Sequence, residues 1–358
     1  MDTLGLDVQV KKTIDKENIK KIVVHAPNWV GDTIICTPMI SALSEGFPNA
    51  TLSIVCKPHL KSLWQYNPYT NEIIVCDLKH DYKDIFSYFR LSREIKKKEF
   101  DLAIILPHFF QAGLVYLLAG IPNRVGYTFR HRGLLFTIAI EPGKDHRKKH
   151  MVENYLDIVR VFGIEPKSRD YCLIIPDDKK SKAKNILRSF GITTRDIVIG
   201  INPGATYGST KRWKKEKYAE LCDKLISHYE AKVIIFGGPE DIELANEISN
   251  LMNKRSVILA GKTDLDELAA LISQCNLFIT NDSGSMHISV AVKTPVIGIF
   301  GSTSPTWTRP LGHKDLIVKK DIACSPCFKR VCKYGTYECL KSITVDDVLR
   351  EVEKIILV

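Results

Sequence analysis

Short, almost wholly apolar runs alternate with segments of helical periodicity along this chain, and no other feature limits the possible folds as strongly. The runs are rich in Val, Ile and Leu and show no polar alternation, which is typical of parallel strands covered on both faces. Strands that alternate with helices predict parallel sheets flanked by helices. The predicted strands lie at 21–27, 50–56, 71–77, 101–107, 196–204, 232–238, 256–261, 276–282 and 295–301.

The alternation occurs twice, before and after the polar stretch 176–196. A chain of 358 residues is long enough for two ordinary domains. We therefore predict an α/β protein with two Rossmann-like parallel-sheet lobes, at 21–185 and 186–340. A polar lead-in at 1–20 precedes them. The last segment, 341–358, has apolar residues at helical spacing and is expected to form a helix that packs back across the lobes.

The formal net charge of +10 favours an anionic partner such as nucleic acid, an acidic membrane face or a phosphorylated substrate. Basic residues are concentrated at 124–150, which predicts a docking surface. The sequence contains no recognised nucleic-acid motif, so nucleic-acid binding is the weaker alternative. It also contains no run of 18 apolar residues, and residues 1–20 lack the apolar core of a signal peptide. We therefore expect no transmembrane segment and a protein that stays in the compartment where it is made.

Ligands of open parallel sheets bind outside the carboxyl ends of the strands, so the loops after the predicted strands are the candidate sites. Asp32 follows Gly31 at the end of the first strand, and is either a helix N-cap or a general base. Lys211 follows a loop rich in Gly and hydroxyl side chains, 205–210. It is either a solvated lysine or a cation that neutralises phosphate oxygens.

The loop 281–287 (NDSGSMH) joins another predicted strand to a helix. Gly284 allows the backbone to approach a ligand closely, and the N–H groups of a helix start favour a diphosphate. His287 lies one turn into that helix and is either structural or a ligand contact. Glu240 and Thr263 follow two further strands. Four strand ends of the C-terminal half thus carry polar or Gly-rich loops, which predicts a ligand site at that edge.

Several motifs, in their order along the chain, resemble those of the ADP-heptose:lipopolysaccharide heptosyltransferases, glycosyltransferase family 9. They are PNWVGD, GATYGSTKRW, FGGPED, LAGKTDLDELAALI, TNDSGSMH and GIFGSTSPTWTRPLG. The resemblance extends from about Lys21 to the end, and NWVGD and KRW are more similar to the second enzyme of that pathway than to the first. It implies a GT-B fold, in which an acceptor-binding and an ADP-sugar-binding lobe face a central cleft. It also implies inverting, metal-independent transfer of heptose from ADP-heptose to the lipopolysaccharide inner core, with the first core heptose as acceptor.

The resemblance further implies roles for individual residues. Asp32 matches the family's proposed base, and Lys211 matches the lysine that neutralises the donor phosphates. The other matched donor-binding positions are Thr206, Glu240, Thr263, Asp282, Ser283, Gly284 and His287. No catalytic cofactor is implied.

The implied acceptor is a lipid A–Kdo–heptose glycolipid at the cytoplasmic face of the inner membrane, and it is anionic. We therefore expect the basic segment 124–150 to bind it, through Arg124, Arg130, Arg132, Lys148 and Lys149. A cytoplasmic protein that associates peripherally with the inner membrane is the expected consequence.

Four cysteines near the C-terminus, with the spacing C-x₂-C-x₄-C-x₆-C, are not required by this chemistry. They are Cys324, Cys327, Cys332 and Cys339. Four thiolates suit a tetrahedral structural zinc. The spacing is not that of a standard zinc ribbon, so we expect reduced, packing thiols and keep structural zinc as the alternative.

For the whole chain, the alternative is another sugar-nucleotide enzyme of the same architecture, with a different donor or with hydrolysing epimerase activity.

Overall fold

A computed structural model describes residues 8–11, 14–78, 85–129, 132–312 and 315–356. The chain divides into two compact units, Met1–Cys172 and Leu173–Val358. Each is a largely or wholly parallel sheet with helices packed against it, as the alternating pattern predicts. Within the described ranges, no helix combines the length and the apolar character needed to cross a membrane.

The first unit is built on a seven-stranded sheet with the order β1-β7-β6-β5-β2-β3-β4, in which only the β1–β7 pair is antiparallel. Its strands are β1 (Val8–Val10), β2 (Lys21–His25), β3 (Thr51–Cys56), β4 (Glu72–Val75), β5 (Leu102–Ile105), β6 (Asn123–Tyr127) and β7 (Ile138–Ile140). Its helices are α1 (Val30–Ile35), α2 (Thr37–Gly46), α3 (Lys61–Trp64), α4 (Ile85–Lys97), α5 (Phe110–Leu118) and α6 (Met151–Arg160).

Several features of the first unit differ from the sequence prediction, which included neither β6 nor β7. The polar lead-in contributes the edge strand β1, in which Gln9 and Val10 are exposed. Backbone hydrogen bonds rather than buried side chains hold this strand, so it has no apolar signal. The residues from Thr33 to Phe47, which the sequence pattern predicts as one helix, belong to two helices that meet at Cys36. Pro38 stands at the start of α2, where its missing N–H is tolerated.

The second unit has a six-stranded, all-parallel sheet with the order β10-β9-β8-β11-β12-β13. Its strands are β8 (Val198–Asn202), β9 (Lys232–Ile235), β10 (Val257–Ile258), β11 (Leu277–Asn281), β12 (Val296–Ile299) and β13 (Leu316–Val318). Its helices are α7 (Asp177–Ser189), α8 (Lys215–Tyr229), α9 (Ile242–Leu251), α10 (Leu265–Ile272), α11 (Gly284–Ala291), α12 (Pro305–Thr308), α13 (Glu338–Lys341) and α14 (Val345–Ile356).

The polar stretch expected to separate the lobes is α7, and it belongs to the second unit, so the division after Cys172 lies earlier than the predicted 185/186 boundary. Helix α7 packs on α10, and Lys179 forms an ion pair with Asp266 of that helix at 2.7 Å. The terminal helix α14 buries its apolar face, including Val348 and Val352, in the core of the second unit. Its expected packing across the lobes stays a prediction.

Candidate functional site

The sheet of the second unit reverses its strand order between β8 and β11. From β8 the chain proceeds outward through β9 and β10, and then returns to β11 on the other side of β8. The loops that leave β8 and β11 therefore separate in opposite directions and open a crevice at the carboxyl edge, where ligands of such sheets bind. The predicted site residues 206–211 and 282–287 lie in these two loops and in the helix start that follows the second.

Lys211 and Asp282 meet at this crevice. The ammonium Nζ of Lys211 lies 2.6 Å from Oδ2 of Asp282, and the side chains of the two residues are 13% and 3% exposed. The Asp282 carboxylate also accepts hydrogen bonds from Thr303 Oγ1 at 2.5 Å and Thr308 Oγ1 at 3.2 Å. Lys211 Nζ additionally lies 4.8 Å from the centroid of the Tyr207 ring. The buried carboxylate of Asp282 and the ring of Tyr207 thus hold the ammonium group of Lys211 at the crevice.

Sequence reasoning assigned no role to Thr303, Thr308 or Tyr207. Thr303 lies in the loop after β12, and Thr308 ends α12, which follows that loop. The signal that could have found both is the run GSTSPTWT, which places Gly and hydroxyl side chains after another strand end. Tyr207 stands in the predicted loop 205–210 itself.

Buried Asn281 joins the two loops across the crevice. Its Oδ1 accepts hydrogen bonds from the backbone N–H of Trp213 at 3.1 Å and from the Tyr218 hydroxyl at 3.0 Å. Its Nδ2 donates to the carbonyl of Pro203 at 2.6 Å. Trp213, which precedes α8, and Tyr218 of α8 are both buried. Asn281 therefore fixes the end of β11 relative to the loop that carries Lys211.

Helix α11 begins at the same crevice. Ser283 is its N-cap residue, and Gly284 is its first helical residue. The N–H groups of a first helical turn and the positive end of the helix dipole together form an anion site. Ser283 Oγ lies 3.0 Å from Thr280 Oγ1 and 2.8 Å from Ser285 Oγ, so a hydroxyl cluster supports the cap. His287 is 3% exposed and lies within the first turn of α11.

The loop after β9 brings Glu240 to Thr206, whose hydroxyl donates to Glu240 Oε1 at 3.4 Å. Glu240 is exposed, whereas its neighbour Asp241 is buried and accepts a hydrogen bond from the N–H of Gly238. The structure therefore identifies Glu240 as the acidic residue of this loop that a ligand can reach. Thr263 is partly buried and follows β10, two strands away from β8 on the same edge of the sheet.

Asp32 occupies the corresponding place in the first unit. The strand order of that sheet reverses between β2 and β5, and Asp32 lies in the first turn of α1, directly after β2. The side chain is partly buried. Burial, with the charge of Asp32 as the next cause, raises the pKa of the Cys36 thiol and of the Tyr155 hydroxyl. The carboxylate therefore lies close to both groups at the edge where a ligand of this sheet would bind.

Arg124 and Arg132, two residues of the expected acceptor surface, are held by backbone carbonyls. Arg132 is completely buried, and its guanidinium donates to the carbonyls of Pro107 at 2.6 Å, Tyr127 at 2.8 Å and Phe109 at 3.1 Å. Arg124 is half-buried and donates through Nε to the carbonyl of Leu135 at 2.8 Å, and burial lowers its pKa. These donors of Arg124 and Arg132 bind backbone carbonyls of the first unit, and a contact of either residue with an anionic acceptor stays a prediction.

The other members of that surface differ in exposure. Lys148 is exposed, and its ammonium lies 2.8 Å from the carboxylate of Asp145, which is also exposed. The side chain of Lys149 is 37% exposed. It forms an ion pair with Asp157, whose side chain is buried. Arg130 lies outside the described residues.

The four C-terminal cysteines are free thiols near one another. Burial raises the pKa of Cys339, and the charges of Cys324 and Cys327 raise it further. Backbone N–H groups, that of Tyr337 foremost, lower the pKa of Cys332. Over the ranges that the structure describes, no three His, Cys, Asp or Glu side chains are arranged to hold a metal ion. The structural-zinc alternative therefore has no support from the structure.

Comparisons with known proteins identify a family with this architecture. The model of glycosyltransferase family 9 (heptosyltransferase) matches residues 88–338. The chain is similar to lipopolysaccharide heptosyltransferase 2 of Escherichia coli K12, with 31% identity over 94% of this chain and 99% of the relative. It is also similar to lipooligosaccharide heptosyltransferase 2 of Haemophilus influenzae, with 30% identity over 83% and 88% of the two chains.

Two solved structures resemble the fold over nearly its whole length. One is ADP-heptose lps heptosyltransferase II of E. coli, with a TM-score of 0.80 and 30% identity over 94% of this chain and 98% of the other. The second is a glycosyl transferase family 9 protein of Veillonella parvula, with a TM-score of 0.83 and 27% identity over 94% and 97% of the two chains.

Proposed function

Because the chain belongs to glycosyltransferase family 9, the heptosyltransferases, and has their GT-B fold class, we propose that it moves a heptose from ADP-heptose to the inner core of lipopolysaccharide. The acceptor in this proposal is the first core heptose. The observation that carries it is the Lys211–Asp282 pair at the strand-order reversal of the second unit, beside the start of α11. A held cation and a helix start at one crevice suit a diphosphate leaving group.

On the donor side, Lys211 and the first turn of α11, from Ser283 and Gly284, bind the diphosphate. Thr206 and Glu240 are hydrogen-bonded neighbours after β8 and β9, and they contact the ribose. Thr263, at the outer end of the same edge, contacts the adenine. Asp282 binds the heptose and holds the Lys211 ammonium in place. His287 supports this loop from within α11.

On the acceptor side, Asp32 acts as general base. It removes the proton from the attacking hydroxyl while that oxygen bonds to the anomeric carbon of the heptose and the bond from that carbon to the β-phosphate oxygen breaks. Attack opposite the departing ADP inverts the anomeric centre. The negative charge that grows on ADP is balanced by Lys211 and the α11 N–H groups, so the proposed reaction uses no catalytic cofactor.

The acceptor is anionic and anchored in a bilayer. The exposed charge of Lys148 suits it, together with Arg130 and the partly exposed Lys149, which is paired with Asp157. We infer that the protein acts in the cytoplasm and associates peripherally with the inner membrane. These contacts are electrostatic and exposed, so they contribute more to encounter than to tight binding.

Incubation with ADP-heptose and defined, truncated core acceptors, followed by mass spectrometry, tests the proposal directly. We expect the mass of one heptose to be added to an acceptor that ends in the first core heptose. Thermal-shift measurements with ADP, UDP and GDP form the matched control for the donor, and ADP should stabilise the chain most. Stabilisation by UDP or GDP instead, with no heptose transfer, would contradict the proposal and favour a different sugar-nucleotide enzyme.

A further inference from the structure

The cysteine-rich segment 324–339 lies directly against the loop that carries Lys211. Within it, the carbonyl of Phe328 accepts a hydrogen bond from the Tyr207 hydroxyl at 2.7 Å. The carbonyl of Arg330 accepts one from the N–H of Thr210 at 3.4 Å, and the carbonyl of Lys329 accepts one from the Thr210 hydroxyl. The three successive carbonyls at residues 328–330 thus accept hydrogen bonds from Tyr207 and Thr210 of the loop.

The approach of the two backbones is too close for a side chain at Gly208. A Cβ atom there would lie 2.3 Å from the carbonyl oxygen of Arg330, and the Gly208 φ of 155° is itself one that few side chains adopt. Glycine at this position therefore lets Arg330 sit beside the loop. The loop 301–304 is attached to the same segment, because the carbonyl of Ser302 accepts a hydrogen bond from the N–H of Cys327 at 3.0 Å.

This attachment places a second cation at the crevice. The guanidinium carbon of Arg330 lies 5.4 Å from the centroid of the Tyr207 ring, and Lys211 Nζ lies 4.8 Å from the same centroid. The Arg330 residue is exposed, and none of the ion pairs between described residues involves it. The charge of Lys211 is largely compensated by the carboxylate of Asp282, whereas that of Arg330 is available.

We propose that Arg330 is a second ligand of the donor diphosphate, held beside Lys211 by the contact of the cysteine-rich segment with the loop 206–211. The inference rests on the proposed use of an ADP-linked donor. A diphosphate carries more negative charge than Lys211 can balance when Asp282 already compensates most of the lysine charge. A guanidinium can bind two phosphate oxygens at once. The affinity for ADP should therefore depend on Arg330 more strongly than the affinity for AMP does.

Calorimetric titration of ADP and AMP into the full chain tests this, with Arg330→Gln as the variant and Lys333→Gln as the matched control. Lys333 belongs to the same segment, and its Nζ lies 5.4 Å from the Tyr334 ring instead of the Tyr207 ring. Both substitutions remove one exposed charge and keep every backbone carbonyl. We expect Arg330→Gln to raise the Kd for ADP about tenfold, which corresponds to one charge-assisted hydrogen bond, and to change the Kd for AMP little. Lys333→Gln should leave both unchanged, and Arg330→Lys should recover part of the ADP affinity.

Wild-type affinity for ADP in Arg330→Gln, or equal weakening in Arg330→Gln and Lys333→Gln, would overturn the inference while leaving the proposed function standing. Absence of ADP binding by the wild-type chain would instead contradict the proposed function itself.

Discussion

Replacement of Lys211 by Met tests whether the cation at the crevice is structural, catalytic or both. The substitution removes the charge and keeps most of the apolar stem. Asp282, whose side chain is 3% exposed, would then keep its negative charge with the hydroxyl donors of Thr303 and Thr308 but without the ammonium. Removal of one partner from a buried ion pair typically costs about 3–5 kcal/mol in the free energy of unfolding.

Two hydroxyl donors remain, and the Lys211 side chain is 13% exposed, so we expect the lower cost of about 2–3 kcal/mol. For a unit of this size, that cost lowers the melting temperature by about 5–10 °C. A second substitution, Asp282→Asn, removes the uncompensated charge. The Asn oxygen can still accept the Thr303 hydrogen bond. The double variant should therefore regain most of the lost melting temperature.

Transfer activity should not recover with the stability. Loss of a group that stabilises charge on the leaving ADP typically lowers kcat about 10²–10³-fold. Differential scanning fluorimetry and the mass-spectrometric transfer assay, applied to the wild type, the Lys211→Met variant and the double variant, separate the two effects. A wild-type melting temperature in Lys211→Met would refute the role of the ion pair. Wild-type transfer by the stable double variant would refute the role of the cation in catalysis.

Three other perturbations have defined outcomes. Asp32→Asn should lower kcat about 10²–10⁴-fold and leave ADP affinity unchanged in calorimetry, whereas near-wild-type turnover would reduce Asp32 to a helix-start residue. The double substitution Lys148→Gln and Lys149→Gln should raise the acceptor KM and flatten its salt dependence, because exposed charges are screened over about 8–10 Å near physiological ionic strength. The donor KM is the internal control, and an unchanged acceptor KM at low salt would exclude the docking role. Burial, and secondly the charge of Arg132, lowers the pKa of His25 from 6.5 to about 3. His25 therefore stays neutral in the folded state, whereas in the unfolded chain it takes up a proton below pH 6.5. The free energy of unfolding should thus fall by about 1.4 kcal/mol per pH unit between pH 6.5 and pH 3 because of this group. His25→Phe should reduce that fall in denaturant titrations, and an identical pH dependence in both proteins would contradict the explanation.

The parallel sheets and the positions of the ligand loops could be read from the amino-acid sequence. A strand covered on both faces must be apolar throughout, so runs such as Val198–Asn202 and Leu277–Asn281 carry their own local signal. The residues that follow such strands share one edge of the sheet, because all the strands of that sheet are parallel. This geometric rule is enough to bring Lys211 and Asp282 to the same edge of the sheet before any coordinates are known, whereas the pairing of β8 with β11 comes from the structure.

The surroundings of each side chain depend on contacts between residues far apart in the chain, and no local pattern records them. Arg132 reads as an exposed basic residue because its neighbours are basic, yet four carbonyls, among them that of Pro107, surround its guanidinium in the fold. Thr303 and Arg330 reach the crevice although each is more than 20 residues away in sequence from the residue that it contacts there. A sequence states the chemistry of a side chain, whereas the packed chain determines which donors, acceptors and charges stand beside it.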